Sequence, residues 1–252
     1  MTIPVPACIA QLGPTGPAIA RDNAGHCSEE CRAEWAPCSV RDLRPRQHAF
    51  FAGDSQAYIY RLESGTLRHY VILPDGRRGV IGFAFPGDLV GLGTSDKHLF
   101  NAQALIPTRI RCLPKVALTR SSLEDTQISF KLYEAVSIEL SQVQHRALVV
   151  GQHDPEESLA AFILALSRRR EQRGEDASTI SLCMPRSDIA DHLGLTTETV
   201  CRTFTKLRRR GLVELKQSRH LRILKMDALY ELAGGGSLRR VPGTNARPAI
   251  RA

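Results

Sequence analysis

Ser187-Asp188-Ile189-Ala190-Asp191-His192-Leu193-Gly194-Leu195-Thr196-Thr197-Glu198-Thr199-Val200-Cys201-Arg202 reads as two short helices joined by a tight glycine turn. Ile189 and Leu193, one turn apart, give the first helix an apolar face. Gly194 supplies the turn, and Thr196 stands where it can cap the second helix. Val200, Phe204 and Leu207 line the apolar back of that second helix, while Thr197, Glu198, Cys201, Arg202, Thr205 and Arg209 fall on its front. A helix that packs by its back and presents a polar, partly basic front is built to lie in a major groove and read base edges. The alternative is an ordinary helical hairpin with one solvated face.

The surrounding charge fits an anionic partner. The chain has 252 residues, a formal net charge of +8 and a pI near 9.4, and its length allows two domains. Residues 186–225 carry ten Lys/Arg against four Asp/Glu, whereas residues 121–160 carry two against seven. A basic C-terminal unit joined to an acidic middle segment suits a nucleic-acid module attached to something else. After the helix pair, residues 212–216 and 221–224 flank Gln217-Ser218-Arg219-His220, which reads as a two-stranded wing with a basic tip. Arg208, Arg209, Arg210, Lys216, Arg219 and His220 are candidates for phosphate contact, with a merely solvated basic face as the alternative.

Upstream, Asp154-Pro155-Glu156-Glu157 is a helix start: a cap, a proline at the first position and acids in the first turn. Leu159, Phe162, Ile163 and Leu166 form its buried face, and Gly174 ends it. Residues 122–152 read as one long helix. Its residues Tyr133, Val136, Leu140, Val143, Ala147 and Val150 alternate spacings of three and four, the narrow stripe of a two-helix seam. Packing of that helix on its own domain is the alternative. A two-fold seam also suits the reading of a palindromic site. Before it, short apolar runs are separated by turns at Gly53, Gly65, Gly76 and Gly87, eleven or twelve residues apart, which predicts a small antiparallel β roll. Residues 67–73 and 79–85 form a hairpin across Pro74-Asp75-Gly76. The chain is therefore read as α+β: a flexible arm over residues 1–25, a cysteine-bearing segment and roll over 26–121, a dimerisation helix over 122–152, a winged helix-turn-helix over 153–233, and a disordered tail over 234–252.

No apolar run reaches the roughly 18 residues of a membrane helix, and no secretory signal is visible, so a cytoplasmic protein with no membrane partner is expected. In a reducing compartment the seven cysteines point to metal or redox chemistry before disulfides. Cys27, Cys31 and Cys38 lie close in sequence, and Cys112 lies at the end of the expected last roll strand. Four thiols suit an iron–sulfur cluster, a zinc site or no ligand at all. Cys183, just before the helix pair, is a candidate redox residue or a small packing residue. Cys8 is assigned no role.

A β roll, a seam helix and a winged helix-turn-helix together resemble the CRP/FNR family of bacterial transcription regulators. The likeness is carried by the cysteine-bearing segment, Phe51-Ala52-Gly53-Asp54, Ala102-Gln103-Ala104-Leu105 followed by Cys112, Glu157-Ser158-Leu159-Ala160-Ala161-Phe162, and the helix pair. It is nearer the FNR and FixK branch than the cyclic-AMP branch. The resemblance implies a cyclic-nucleotide-binding-like roll, a homodimer on double-stranded DNA with a palindrome of TTGAT half-sites, RNA polymerase as partner, and activation of genes for low-oxygen metabolism. It implies a 4Fe–4S cluster on Cys27, Cys31, Cys38 and Cys112, with a first gap of three residues where the family usually has two. It also implies DNA reading by Glu198 and Arg202, with Cys201 where the family has serine. Arg202 can pair with guanine O6 and N7, and Glu198 can accept from cytosine N4. A FixK-like regulator without a cluster, controlled by abundance or cysteine oxidation, is the rival within the family.

Cyclic-nucleotide binding is not expected. Gly87-Asp88-Leu89-Val90-Gly91 is followed by Asn101-Ala102-Gln103-Ala104-Leu105, with no Arg-Ser/Thr pair for a phosphate, and a buried unpaired phosphate costs several kcal/mol. An enzyme is not expected either. A metal-dependent redox enzyme is the distant alternative, and no Ser/His/Asp set, paired acids or glycine-rich nucleotide loop supports it.

Overall fold

The computed structural model describes residues 39–93, 95–118, 154–217 and 219–234, with single positions between Thr126 and Leu140. The N-terminal unit is a roll of two four-stranded antiparallel sheets. One sheet has the order β1 (Ser39–Leu43), β8 (Thr108–Pro114), β3 (Tyr58–Ser64), β6 (Leu89–Val90). The other runs β2 (His48–Phe50), β7 (Asn101–Ala104), β4 (Leu67–Ile72), β5 (Arg78–Ala84). The expected hairpin is β4–β5, pairing Ile72 with Arg78 and Leu67 with Ala84. All four predicted turn glycines have positive φ, at 91°, 94°, 79° and 97°. At Gly65 the requirement is also steric, since a Cβ there would come within 2.6 Å of Pro107 O.

Alternation along the strands fills the roll. Phe50, Tyr60, Leu62, Leu67, Ala102, Ala104, Ile110 and Cys112 form one buried cluster. His98 joins it with its ring stacked 3.6 Å from Phe50. Residues 115–118 already turn as helix, before the expected start at residue 122, and Leu118 is buried. Further on, the described positions Thr126, Ser129, Phe130, Tyr133, Val136, Ser137 and Leu140 are all helical.

The C-terminal unit contains α1 (Pro155–Gln172), β9 (Thr179–Ser181), α2 (Arg186–Leu193), α3 (Thr197–Arg209), β10 (Val213–Lys216), β11 (His220–Ile223) and α4 (Met226–Leu232). Asp154 caps α1 by accepting from Glu156 N, with proline in the first turn and Glu156 and Glu157 beside the helix dipole. Leu159, Phe162, Ile163 and Leu166 are buried as expected. The wing departs from its two-stranded expectation: β11 pairs with β10 on one side and with β9 on the other, making three strands in the order β10-β11-β9. Ile180 in β9 is 2% exposed, and its burial against the domain core stabilises a strand too short for periodicity to reveal.

The two units pack on each other. Phe83, Phe85 and Leu105 of the roll lie against the winged-domain core. The Phe83 ring sits 6.2 Å from Phe162 and 5.3 Å from His192, both edge-on. Arg169 of α1 donates to both oxygens of Asp88, at 2.8 and 2.6 Å, and lies over the Phe85 ring.

Candidate nucleic-acid interface

The helix pair forms where its local chemistry directs. Gly194 adopts the left-handed conformation at φ 68° and ends α2, and Leu195 N donates to Ala190 O at 2.9 Å. Thr196 caps α3 by accepting from Thr199 N at 3.1 Å. Ile189, Val200, Phe204 and Leu207 are each at most 3% exposed, and Leu193 is half-buried. Those apolar contacts press α3 onto the domain by its back and leave its front facing solvent.

On that front Thr197, Glu198, Cys201, Arg202 and Arg209 are exposed. Thr205 is half-buried and donates to Cys201 O at 3.0 Å. Arg202 pairs with Glu198 one turn earlier, their side chains 75% and 70% exposed. Cys201, Arg202, Thr205, Lys206 and Arg209 line one shallow, open depression along α3. The sequence reading does not single out Lys206, although its place one turn after Arg202 is the signal that could have found it. Lys206 and Arg210 also reach back to Glu156 of α1, at 3.1 and 2.7 Å, so these two cations brace the helix as well as charging its flank. Arg208, Arg209 and Arg219 are exposed, and Arg219 and His220 stand at the wing tip, where Gln217 turns with a positive φ of 50°. Arg186, at the start of α2, lies 3.7 Å above the Phe204 ring and ties α2 to α3.

The cysteines divide. Cys27, Cys31 and Cys38 lie outside the described residues. Cys112 lies within β8 in register with Ser39 of β1, is 3% exposed in the roll core, and burial pushes its thiol above the ordinary range. Among the described residues no three or more His, Cys, Asp or Glu side chains converge as a metal site requires. Cys183 is half-exposed between buried Leu182 and Met184, with its sulfur 3.8 Å from Ser181 Oγ, so it is not a core packing residue. Of the seam residues, Tyr133, Val136 and Leu140 are helical and 70%, 50% and 54% exposed in the single chain, flanked by Phe130 at 64%. Val143, Ala147 and Val150 lie outside the described residues. No helix among the described residues is long and apolar enough to cross a membrane.

A β roll packed against a winged helix-turn-helix, with a polar and basic second helix turned to solvent, defines the architecture of a DNA-binding regulator. Comparison with known proteins agrees. The sequence model of the cyclic nucleotide-binding domain matches residues 40–122, and that of the Crp-like helix-turn-helix domain matches residues 157–232. The chain is 35% identical over 207 residues to the nitrogen fixation regulation protein FixK of Bradyrhizobium diazoefficiens, covering 76% of this chain and 87% of that one. It is 34% identical over 196 residues to the fumarate and nitrate reduction regulatory protein of Escherichia coli, covering 77% and 78%. The solved structure of FixK2 from Bradyrhizobium japonicum superposes with a TM-score of 0.73 at 30% identity, over 77% of this chain and 96% of that one. The chain belongs to the CRP/FNR family of DNA-binding transcription regulators and is related to FixK and FNR.

Proposed function

We propose that the protein is an oxygen- or redox-responsive regulator that binds an FNR-like palindrome as a homodimer and activates low-oxygen genes through RNA polymerase. The observation that carries the reading is the solvent-facing front of α3, where Glu198 and Arg202 stand clear of a fully packed back. Arg202 reads a guanine and Glu198 a cytosine in each half-site, and Thr197, Cys201, Thr205, Arg209 and Arg219 flank them. The apolar stripe through Tyr133, Val136 and Leu140 supports pairing through the connecting helix, because a row of half-exposed apolar side chains on one face needs a partner. The roll acts as a scaffold and not as a nucleotide receptor. Phe50, Tyr60, His98 and Phe100 fill its interior, and no arginine stands between Gly87 and Leu105 to pair with a phosphate. Nothing in the site points to catalysis, and the function is carried out in the cytoplasm.

Cys27, Cys31, Cys38 and Cys112 are the proposed ligands of an oxygen-labile 4Fe–4S cluster. The donor set suits it in kind, being four thiols. Of the four, Cys112 alone lies among the described residues, opposite Ser39 at the start of β1. When bound, such a cluster supplies oxygen-sensitive redox chemistry. Cys112 would contribute one thiolate from β8, against the burial that raises its pKa. That same burial favours the second reading, a FixK-like protein in which Cys112 is a packing residue and no cluster forms.

Iron and sulfide analysis of protein purified without air separates the two. Near four of each per chain, with visible absorption lost in air, supports the cluster. Zinc alone, or no metal, leaves the FixK-like reading. Binding to a palindromic duplex with a steep salt dependence tests the DNA function in either case.

A further inference from the structure

Asp188 stands in the first turn of α2, where an acid ordinarily faces solvent beside the helix dipole. Here its side chain is 0% exposed and gripped by two guanidiniums of the other domain. Arg68 Nη1 donates to both carboxylate oxygens at 2.9 Å, and Arg78 Nη2 donates to Oδ1 at 2.6 Å. Arg78 also reaches Asp191, one turn on, at 3.5 Å. These arginines belong to β4 and β5, and the roll itself holds them. Arg68 bonds to Gln103 of β7, whose amide nitrogen donates to Arg46 O at 2.7 Å. The Tyr70 ring lies 5.3 and 6.0 Å beneath the two guanidinium carbons, and its hydroxyl is 2.8 Å from His48 Nε2.

The geometry points to Arg68 and Arg78 as positioning residues for DNA reading. Through Asp188 they fix how α2 sits on the roll and, across the Gly194 turn, the direction in which α3 presents Glu198 and Arg202. A buried carboxylate keeps its charge only against well-placed partners, so the pair tolerates few orientations of the winged domain. The clamp presents the reading helix and does not cover it, since Glu198 and Arg202 remain largely exposed. A palindrome rewards this. Once one head is docked, the second binds at an effective concentration set by how narrowly its position is confined.

The inference rests on the proposed palindrome-binding dimer, and its test separates the two. Full-length wild type, R78Q, R68Q/R78Q and the charge-keeping R68K/R78K are titrated by fluorescence anisotropy. The duplexes are a full palindrome, the same duplex with one half-site scrambled, and a fully scrambled one. Circular dichroism melts establish that each variant is folded. R78Q, at a position where the side chain is 31% exposed, is the milder change. Removal of the clamp is expected to weaken palindrome binding by about tenfold or more, part of the roughly 10²–10⁴-fold gain of linked heads. Single half-site binding is expected to change by less than about twofold, since the clamp acts by confining the second head, and R68K/R78K should fall between wild type and R68Q/R78Q because lysine keeps the charge without the fork or the stacking. An unchanged ratio of palindrome to half-site affinity in folded R78Q and R68Q/R78Q overturns the inference. So does an equal weakening on both duplexes, which marks a purely structural role. A wild type with no preference for the palindrome overturns the DNA reading itself, and the inference falls with it.

Discussion

Replacing Arg202 with alanine is expected to remove discrimination at one G·C pair of each half-site while sparing the fold. Arg202 pairs with Glu198 across the open surface of α3, with both side chains at least 70% exposed. An exposed pair one helical turn apart contributes about 0.3–0.5 kcal/mol, so its removal changes stability by a few tenths. The same weakness lets the pair open cheaply when a base arrives. On DNA, a bidentate arginine–guanine pairing is worth about 1–3 kcal/mol of discrimination. A two-fold dimer makes that pairing twice, so the variant forgoes about 2–6 kcal/mol, from about 30-fold to about 10⁴-fold in Kd. The assay is anisotropy on the palindrome and on duplexes altered at the G·C pair of each half-site, repeated across salt concentrations. The salt slope should barely change, because the proposed contact of Arg202 is to a base edge and not to a phosphate. Retained discrimination at the G·C pair, or an equal weakening on scrambled DNA, refutes the assignment.

Leu140→Glu places a charge in the apolar stripe of the connecting helix, where Leu140 is 54% exposed in the single chain. Sedimentation velocity should show a dimer for the wild type and a monomer for the variant, because like charges would meet across the proposed two-fold seam. Arg219→Ala, at the wing tip, should weaken binding equally on all sequences and lower the salt slope by about one for each phosphate it no longer neutralises. The roll should lose stability in mild acid. Burial lowers the pKa of His98 below 6.5, and burial with the nearby Arg68 charge does the same for His48. Between the folded and unfolded pKa values the unfolded chain binds more protons, so stability is full above 6.5 and is lost as pH falls from there. Melting curves from pH 8 to 5 (about three units spanning the transition) should show that decline, and His98→Gln should flatten it.

Much of this protein can be read from its residues because local rules there agree with tertiary needs. Gly194, Thr196 and the apolar back of α3 announce a helix pair without any knowledge of the rest of the chain. The glycines at 53, 65, 76 and 87 mark the corners of the roll because their left-handed backbones are set locally. Elements defined by long-range pairing are less legible. β9 has three residues and exists because β11 lies beside it, and α4 is a short helix whose Leu229 is fully buried against α1 and its neighbours. Asp188 is the clearest case. Its place in a helix start reads as an exposed acid, and its burial depends on arginines more than a hundred residues earlier. The same holds for Cys112: the family resemblance implies it as a ligand, while its register opposite Ser39 and its place in the roll core are properties of the folded sheet.

Hydroxyl-radical footprinting of the protein, purified without air, on a duplex carrying an inverted TTGAT repeat bears most directly on the central claim. Two protected half-sites about one helical turn apart, related by a two-fold axis, are predicted, since identical subunits present identical reading helices. Protection of a single half-site, or uniform protection without an inverted repeat, contradicts it.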